Sequence, residues 1–202
     1  MRLYTNRFAP SPRRVRMFAA EKGLALELVE VDIAAGAHHD PDYLRVNPLS
    51  EVPVLELADG TRIAQSLAIC RWLEEQQPEP ALFGATPRES ASINECVDRL
   101  MFRLYVPMTH VFRHTHPFWA SRLEQVPAWG EQQRRAVERE LALLEAALGS
   151  RDFLVGGRFS MADIVAYTSI DFGKPSNVRL GDAHPNLRRW YQAVNGRASA
   201  RA

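Results

Sequence analysis

The sequence predicts two domains of different class, a small α/β domain followed by an all-α one. Three observations carry this. Strand-like and helix-like patterns alternate up to about Gln77, prolines at 78 and 80 interrupt them, and from Thr86 onward apolar residues recur only at helical spacing. The domains are accordingly placed at residues 1–77 and 86–202, with 78–85 as a linker.

Arg2–Thr5 reads as the first strand. Pro10 and Pro12 mark a helix start, because proline's fixed φ suits the first turn, where its missing N–H is not needed. That helix buries Val15, Phe18 and Ala19 and ends at Lys22-Gly23. Val29-Glu30-Val31-Asp32-Ile33 alternates with period two and is expected to be a half-buried strand. Ala34 to Ser50, with Gly, Asp, Asn and Pro, is expected to be irregular or briefly helical. Val52–Leu57 and Thr61–Ile63 flank Asp59-Gly60, a pair suited to the positive φ angles of a tight primed hairpin turn. A helix with Leu67, Cys70, Trp72 and Leu73 closes the domain. In the second domain, Val137, Leu141, Leu144 and Leu148 share one face of a helix over Arg134–Leu148, which Gly149 stops. Ser160-Met161-Ala162-Asp163 reads as a capping box with Asp in place of Glu, and Phe159 as a staple onto Ile164, so a buried helix is expected from about Met161 to Ile170. A last helix carries Leu187, Trp190, Tyr191 and Val194.

Lys and Arg total 25 against 24 Asp and Glu, a formal net charge of +1 that offers a polyanion no advantage over a small molecule, so nucleic acid is not an expected partner. Cys70 and Cys96 sit in helix-like apolar patterns with no CxxC or His-rich neighbour. Neither a disulfide nor a metal is expected, and a reducing cytoplasm fits. Arg2-Leu3-Tyr4-Thr5 reads as a strand rather than an export signal, and no apolar run reaches membrane-spanning length, so neither export nor membrane insertion is expected.

Pro53 lies inside an apolar strand, where proline deletes a ladder donor. Two readings stand: a plain edge-strand proline, or a cis Val52–Pro53 bond that bends the chain and leaves the Val52 N–H and C=O for an extended peptide ligand. Ser66, at the start of a helix after Gln65, either caps that helix or adds a hydroxyl to a helix N-terminus suited to a carboxylate. Together the two features would hold a short peptide by its backbone and its free α-carboxylate. His110 and His114 have the spacing of a zinc pair, but no Glu adjoins the first and only His116 offers a third ligand, so metal is not expected. Arg13, Arg14 and Arg16 lack phosphate-loop glycines and read as a helix face and a source of interdomain ion pairs.

The ordered set Val52-Pro53-Val54-Leu55, Ile63-Ala64-Gln65-Ser66-Leu67-Ala68-Ile69 and Phe159-Ser160-Met161-Ala162-Asp163 resembles the glutathione transferases over essentially the whole chain. The resemblance implies a thioredoxin-like α/β N-terminal domain that binds glutathione and an all-α helical C-terminal domain lining a second-substrate pocket. It implies a two-fold homodimer, glutathione as co-substrate, no metal, and detoxification of a small hydrophobic electrophile or a peroxide. By the same likeness Val52 pairs with the cysteinyl backbone, Pro53 is cis, Gln65 and Ser66 hold the γ-glutamyl end, and the Ser160–Asp163 box is structural. The dimer would use the face with the Gln65–Leu73 helix and the start of the helical domain near Arg88 to Arg99. Tyr105, Phe112, Phe118 and Trp119 are expected to shape the second-substrate pocket.

Such a protein must ionise the glutathione thiol. Moving a thiol pKa from about 8.5 to about 6.5 takes about 2.7 kcal/mol of selective thiolate stabilisation. The first helix contributes part through its dipole. In relatives with a catalytic Ser or Cys, that residue aligns with Ala9, and the tyrosine position falls near Thr5; Ala9 has no donor. The run Ala9-Pro10-Ser11-Pro12-Arg13-Arg14-Val15-Arg16 is similar to an atypical fungal and bacterial branch without the usual catalytic side chain, in which a water held by the helical domain supports the thiolate. Aligned on Pro107, Thr109 takes the place of that branch's serine and Arg113 that of its histidine, with His114 next to it and Ser11 as the local competitor. Gln65 replaces a common acid. Glu51 replaces a common Lys or Gln and would repel a carboxylate if turned inward, while His38 and His39 lie in the loop that often reaches the glycyl carboxylate. Two functions are therefore open: a transferase, or a non-catalytic glutathione-binding or regulatory protein of the same fold. Thiol–disulfide exchange is disfavoured, because Ala9 stands where its cysteine would be.

Overall fold

A computed structural model describes all 202 residues. Met1–Ala81 with Ala198–Ala202 form one compact unit and Leu82–Arg197 a second. In the first unit the order is β1 (Arg2–Thr5), α1 (Pro10–Glu21), β2 (Glu27–Glu30), α2 (Pro41–Leu44), β3 (Val54–Glu56), β4 (Arg62–Ala64) and α3 (Ser66–Gln76). The sheet runs β2-β1-β3-β4, with β2 parallel to β1 and the other pairs antiparallel. Leu3 and Leu55 from the sheet and Val15, Phe18, Ile69, Cys70 and Leu73 from α1 and α3 are fully buried. These are the apolar stripes that the sequence spacing marks.

Two local expectations are corrected. The second strand starts at Glu27 and ends at Glu30, earlier than Val29–Ile33, because pairing begins with Arg2↔Glu27 and fails where β1 turns away at Asn6. Val31 still donates its N–H to Thr5 O at 2.7 Å and is buried, so the period-two stripe was placed on the correct side. The hairpin does not use a two-residue primed turn. Leu57 N bonds Thr61 O across three residues, and only Gly60 has a positive φ, +84°, while Asp59 Oδ1 accepts from Thr61 N at 2.8 Å.

The basic residues of α1 bond within their own unit. Arg13 donates to Ala200 O and Arg16 to Ala202 O at 3.1 and 3.3 Å, tying α1 to C-terminal residues of the same unit. Arg16 further donates to Thr5 Oγ1 and Asn6 O at 2.6 and 3.2 Å. At the other end of α1, buried Lys22 donates to Pro78 O and Pro80 O at 3.0 and 2.5 Å and pairs with Glu74.

The second unit is all helical: α4 (Pro87–Leu100), a π-helical segment (Met101–Tyr105), α5 (Val106–Thr115), a short turn of helix (Pro117–Trp119), α6 (Pro127–Leu148), α7 (Met161–Phe172) and α8 (Pro185–Asn195). The π segment lies just ahead of Pro107, whose missing N–H removes the bond to Arg103 O that an α-helix would make. Helix α6 starts seven residues before the expected Arg134. Gly130 explains why the earlier part escapes a pattern reading: it is buried against α5, where a Cβ would lie 2.6 Å from Thr115 Cγ2. The residue that lowers helix propensity is the one that lets α5 and α6 approach. The capping box forms, Ser160 N donating to Asp163 Oδ2 at 3.0 Å, and Met161 through Ile170 are all buried. No helix is long and apolar enough to cross a membrane.

Candidate functional site

The site in the first unit is built around the start of β3. The Val52–Pro53 peptide is cis, Pro53 is buried, and β3 begins only at Val54. Neither the N–H nor the C=O of Val52 is hydrogen-bonded within the chain. The approach to Val52 is pinned from behind, since Glu51 O accepts from Tyr43 Oη at 2.6 Å and from Asn47 Nδ2 at 2.9 Å. An unpaired donor and acceptor on a fixed, accessible stretch can take an extended peptide.

Val52 and Ser66 each lie two residues beyond the last β3–β4 pair, Val54↔Ala64, the first ahead of β3 and the second at the start of α3. Gln65 occupies φ +70°, ψ 120°, a conformation costly for a side chain larger than glycine's and one that clusters at ligand clamps. The amide groups of Ser66, Leu67 and Ala68 precede the first bond of α3, Ile69 N to Gln65 O at 3.0 Å, and face forward as a helix N-terminus. Ser66 is buried, and its Oγ accepts from the fully buried Arg14 Nη1 at 3.2 Å. With one lone pair taken by a cation, the Ser66 hydroxyl is left as a donor, which a carboxylate requires. Pattern reading missed Arg14, because an arginine among apolar residues of an amphipathic helix carries no signal distinguishing a solvated position from a buried one.

Glu51 does not point its carboxylate at the Ser66 hydroxyl; Oε2 accepts from Gln65 Nε2 at 3.0 Å. His38 and His39 lie on one turn of 3₁₀ helix with ring centroids 3.9 Å apart. Ser50 Oγ donates to His38 O at 2.6 Å, so its contact with His39 Nδ1 at 2.8 Å has the imidazole as donor. Burial, then the neighbouring His39, holds the His38 pKa below the ordinary histidine value. A neutral His38 offers a hydrogen bond rather than a full charge.

At the start of α1, Ala9 is the N-cap with no side-chain cap, and Pro10 and Pro12 carry no N–H. Arg13 N donates to Ala9 O at 3.3 Å, closing the first turn of α1. The turn before it is set by Asn6, another residue without a sequence signal: Oδ1 accepts from Phe8 N and Ala9 N at 3.1 and 3.2 Å, and Nδ2 donates to Val31 O at 3.0 Å. Cys70 is fully buried and Cys96 half-buried; burial raises both thiols, Cys96 to about 11, so neither replaces a nucleophile at Ala9.

In the second unit, α5 presents Thr109, Arg113 and His114. Half-buried Thr109 donates its hydroxyl to Val106 O at 2.7 Å, leaving Oγ1 as an acceptor. Arg113 lies 5.3 Å over the Trp119 ring, and His114 Nδ1 accepts from Val126 N at 3.1 Å, which puts the ring hydrogen of the neutral form on Nε2. His116 Nδ1 is likewise taken, by Phe118 N at 3.2 Å, and no group of three or more His, Cys, Asp or Glu is arranged to hold a metal. Phe112, Phe118 and Trp119 come together with centroids 5.3–6.2 Å apart, joined by Phe172 of α7 at 5.1 Å from Phe112. Tyr105 is half-buried in the π segment. Phe172 was not singled out from sequence, since it falls at the very end of its helix.

Residues 8–76 match the family model for the glutathione S-transferase N-terminal domain, and residues 102–198 that for the C-terminal domain. Glutathione S-transferase 2 of Saccharomyces cerevisiae is 31% identical over 205 residues, which cover 100% of this chain and 88% of that protein. The crystal structure of Gtt2 from the same yeast superposes with a TM-score of 0.93, covering 100% of this chain and 99% of that one at 31% identity. A glutathione S-transferase domain-containing protein from Marinobacter aquaeolei gives a TM-score of 0.91 at 35% identity, over 98% and 99% of the two chains. Sequence over both units and fold over the whole length agree, and the chain belongs to the glutathione S-transferase family.

Proposed function

We propose that this protein is a glutathione transferase that binds glutathione along Val52 and the N-terminus of α3, ionises its thiol and delivers it to a small hydrophobic electrophile or a peroxide. The observation that supports this best is the unbonded main chain of Val52 just ahead of β3, with Ser66 at the helix N-terminus that follows β4. The cysteinyl backbone pairs with Val52, the γ-glutamyl carboxylate rests on Ser66, Gln65 borders the same end, and His38 and His39 border the glycyl end. The aromatic group Phe112, Phe118 and Trp119, with Tyr105, offers the apolar surface for the second substrate. The protein acts as a cytoplasmic homodimer in detoxification, and sedimentation tests the assembly: a monomer that stays monomeric as concentration rises would refute it.

Thiol ionisation follows the water-assisted route of the branch without a catalytic Ser, Tyr or Cys. The α1 dipole is worth about 0.3–1 kcal/mol, against about 2.7 kcal/mol for a two-decade shift in acidity. The remainder comes from the α5 segment. Thr109 Oγ1, already donating to Val106 O, accepts from a water whose second hydrogen reaches the sulfur, and Arg113 and the Nε2–H side of His114 add positive potential. Thr109→Val is expected to raise the pKa of the bound thiol toward its free value of about 8.5 while leaving affinity at high pH nearly intact. Ser11→Ala is expected to do little. Ultraviolet titration of bound glutathione reads both. A wild-type bound thiol titrating near its free value would remove the transferase reading and leave the non-catalytic binding protein, which Ala9 favours.

A further inference from the structure

Helix α7 ends at Phe172 and α8 begins at Pro185. Between them the chain closes a tight loop: a 3₁₀ turn over Lys174–Ser176, Asn177 at φ +57°, and Val178 N donating back to Gly173 O at 3.0 Å. An open hollow of about 250 Å³ lies between the end of α7, this loop and α8, wholly within the helical unit. Its wall is apolar, with Ile170 and Val178 buried and Leu180 and Tyr191 half-buried. Ile170 and Phe172 are two residues apart on α7, about 200° around the helix, so the hollow opens on the other side of α7 from the Phe112–Phe172 contact. Three cations, Lys174, Arg179 and Arg188, border it, and no lining residue is acidic. Lys174 pairs with Asp171, and Arg188 pairs with Asp182 at 2.8 Å. Asp171 also accepts from Tyr191 Oη, and burial, then that bond, raises the Tyr191 phenol, which stays neutral. Arg179 is exposed, and its guanidinium makes no ion pair or hydrogen bond within the chain. With its neighbours matched to acids, Arg179 leaves one positive charge over beside an apolar wall.

We infer that this hollow is a second ligand site, which takes a small hydrophobic monoanion, an aryl or alkyl carboxylate or sulfonate. The apolar body lies against Ile170, Val178, Leu180 and the Tyr191 ring, and the charge meets Arg179. At protein packing density the hollow holds about a dozen non-hydrogen atoms, which limits the ligand to one or two rings. Glutathione, with two carboxylates and a polar backbone, fits neither the wall nor the single charge.

Methyl NMR titration with 2-naphthoate, against the neutral 2-naphthalenemethanol, tests the site. Wild type is expected to bind naphthoate with a Kd of about 0.1–1 mM and to prefer it over the alcohol by about threefold to fivefold, the size of an exposed charge contact. The shifts should fall on the methyls of Ile170, Val178 and Leu180 and spare Val111 of α5, and saturating glutathione should leave them unchanged. Arg179→Gln should erase the preference by weakening naphthoate alone. Leu180→Glu, which puts a carboxylate into the wall, should weaken naphthoate by about tenfold or more. No binding of naphthoate, equal binding of the two probes, shifts centred on Val111, displacement by glutathione, or an Arg179→Gln variant that keeps the preference would each overturn the assignment.

Discussion

Asp163→Ala is expected to destabilise the helical unit by about 3–5 kcal/mol, more than any other single polar substitution in it. Asp163 is fully buried and collects four donors: Ser160 N at 3.0 Å, Ser160 Oγ at 3.1 Å, Leu154 N at 3.1 Å and Trp190 Nε1 at 2.9 Å. Burial raises its carboxyl pKa, and those donors oppose the rise. Removing the carboxylate strands several of them out of water at about 1–3 kcal/mol each, less whatever relaxation recovers, and adds the loss of a helix cap. The same acid joins the segment before α7 to Trp190 of α8, so the damage spreads beyond one helix end. Ser160→Ala, which keeps the other donors satisfied, should cost only about 1 kcal/mol. Urea unfolding followed by tryptophan fluorescence measures both. A loss for Asp163→Ala no larger than for Ser160→Ala would mean that the network is not what holds α7 in place.

The box at Ser160 was legible because its chemistry is local: cap and acid are three residues apart, and helix geometry brings them together. Pro53 was legible for a similar reason, a missing donor within a strand. Asp163's third and fourth partners were not, since Leu154 and Trp190 are set by tertiary packing, and neither spacing nor residue type announces them. The same limit explains α1. Periodicity found its apolar face through Val15 and Phe18 but read Arg14, which is fully buried, only as part of a basic helix face. Glu51 shows the opposite failure. Its charge was visible, but the direction of the side chain depends on Gln65, fourteen residues away across the β3–β4 hairpin. Where a strand register brings distant residues together, sequence supplies the inventory and the sheet supplies the meaning.

Ser66→Ala is expected to weaken glutathione binding by about 1–3 kcal/mol, and the size of that loss should depend on Arg14. Arg14 is fully buried with Nη1 3.2 Å from Ser66 Oγ, and the Ser66 hydroxyl makes no other hydrogen bond within the chain. By donating to Oγ, the guanidinium both biases the hydroxyl hydrogen outward and polarises it, so a carboxylate meets a stronger donor than an isolated serine would offer. Arg14→Lys keeps a charge but gives up the planar, rigidly placed N–H, and should lower glutathione affinity in the presence of Ser66. In the Ser66→Ala background the same change should matter far less, giving a coupling energy of about 0.5–3 kcal/mol in a double-mutant cycle. Because both variants are compared as folded protein, with binding rather than stability measured, the cost of disturbing a buried arginine cancels from the cycle to the extent that it is common to both backgrounds. Additive losses would show that Arg14 supports the fold of α1 and α3 but does not act on the ligand through Ser66. Unchanged affinity for Ser66→Ala alone would move the carboxylate cradle elsewhere on α3.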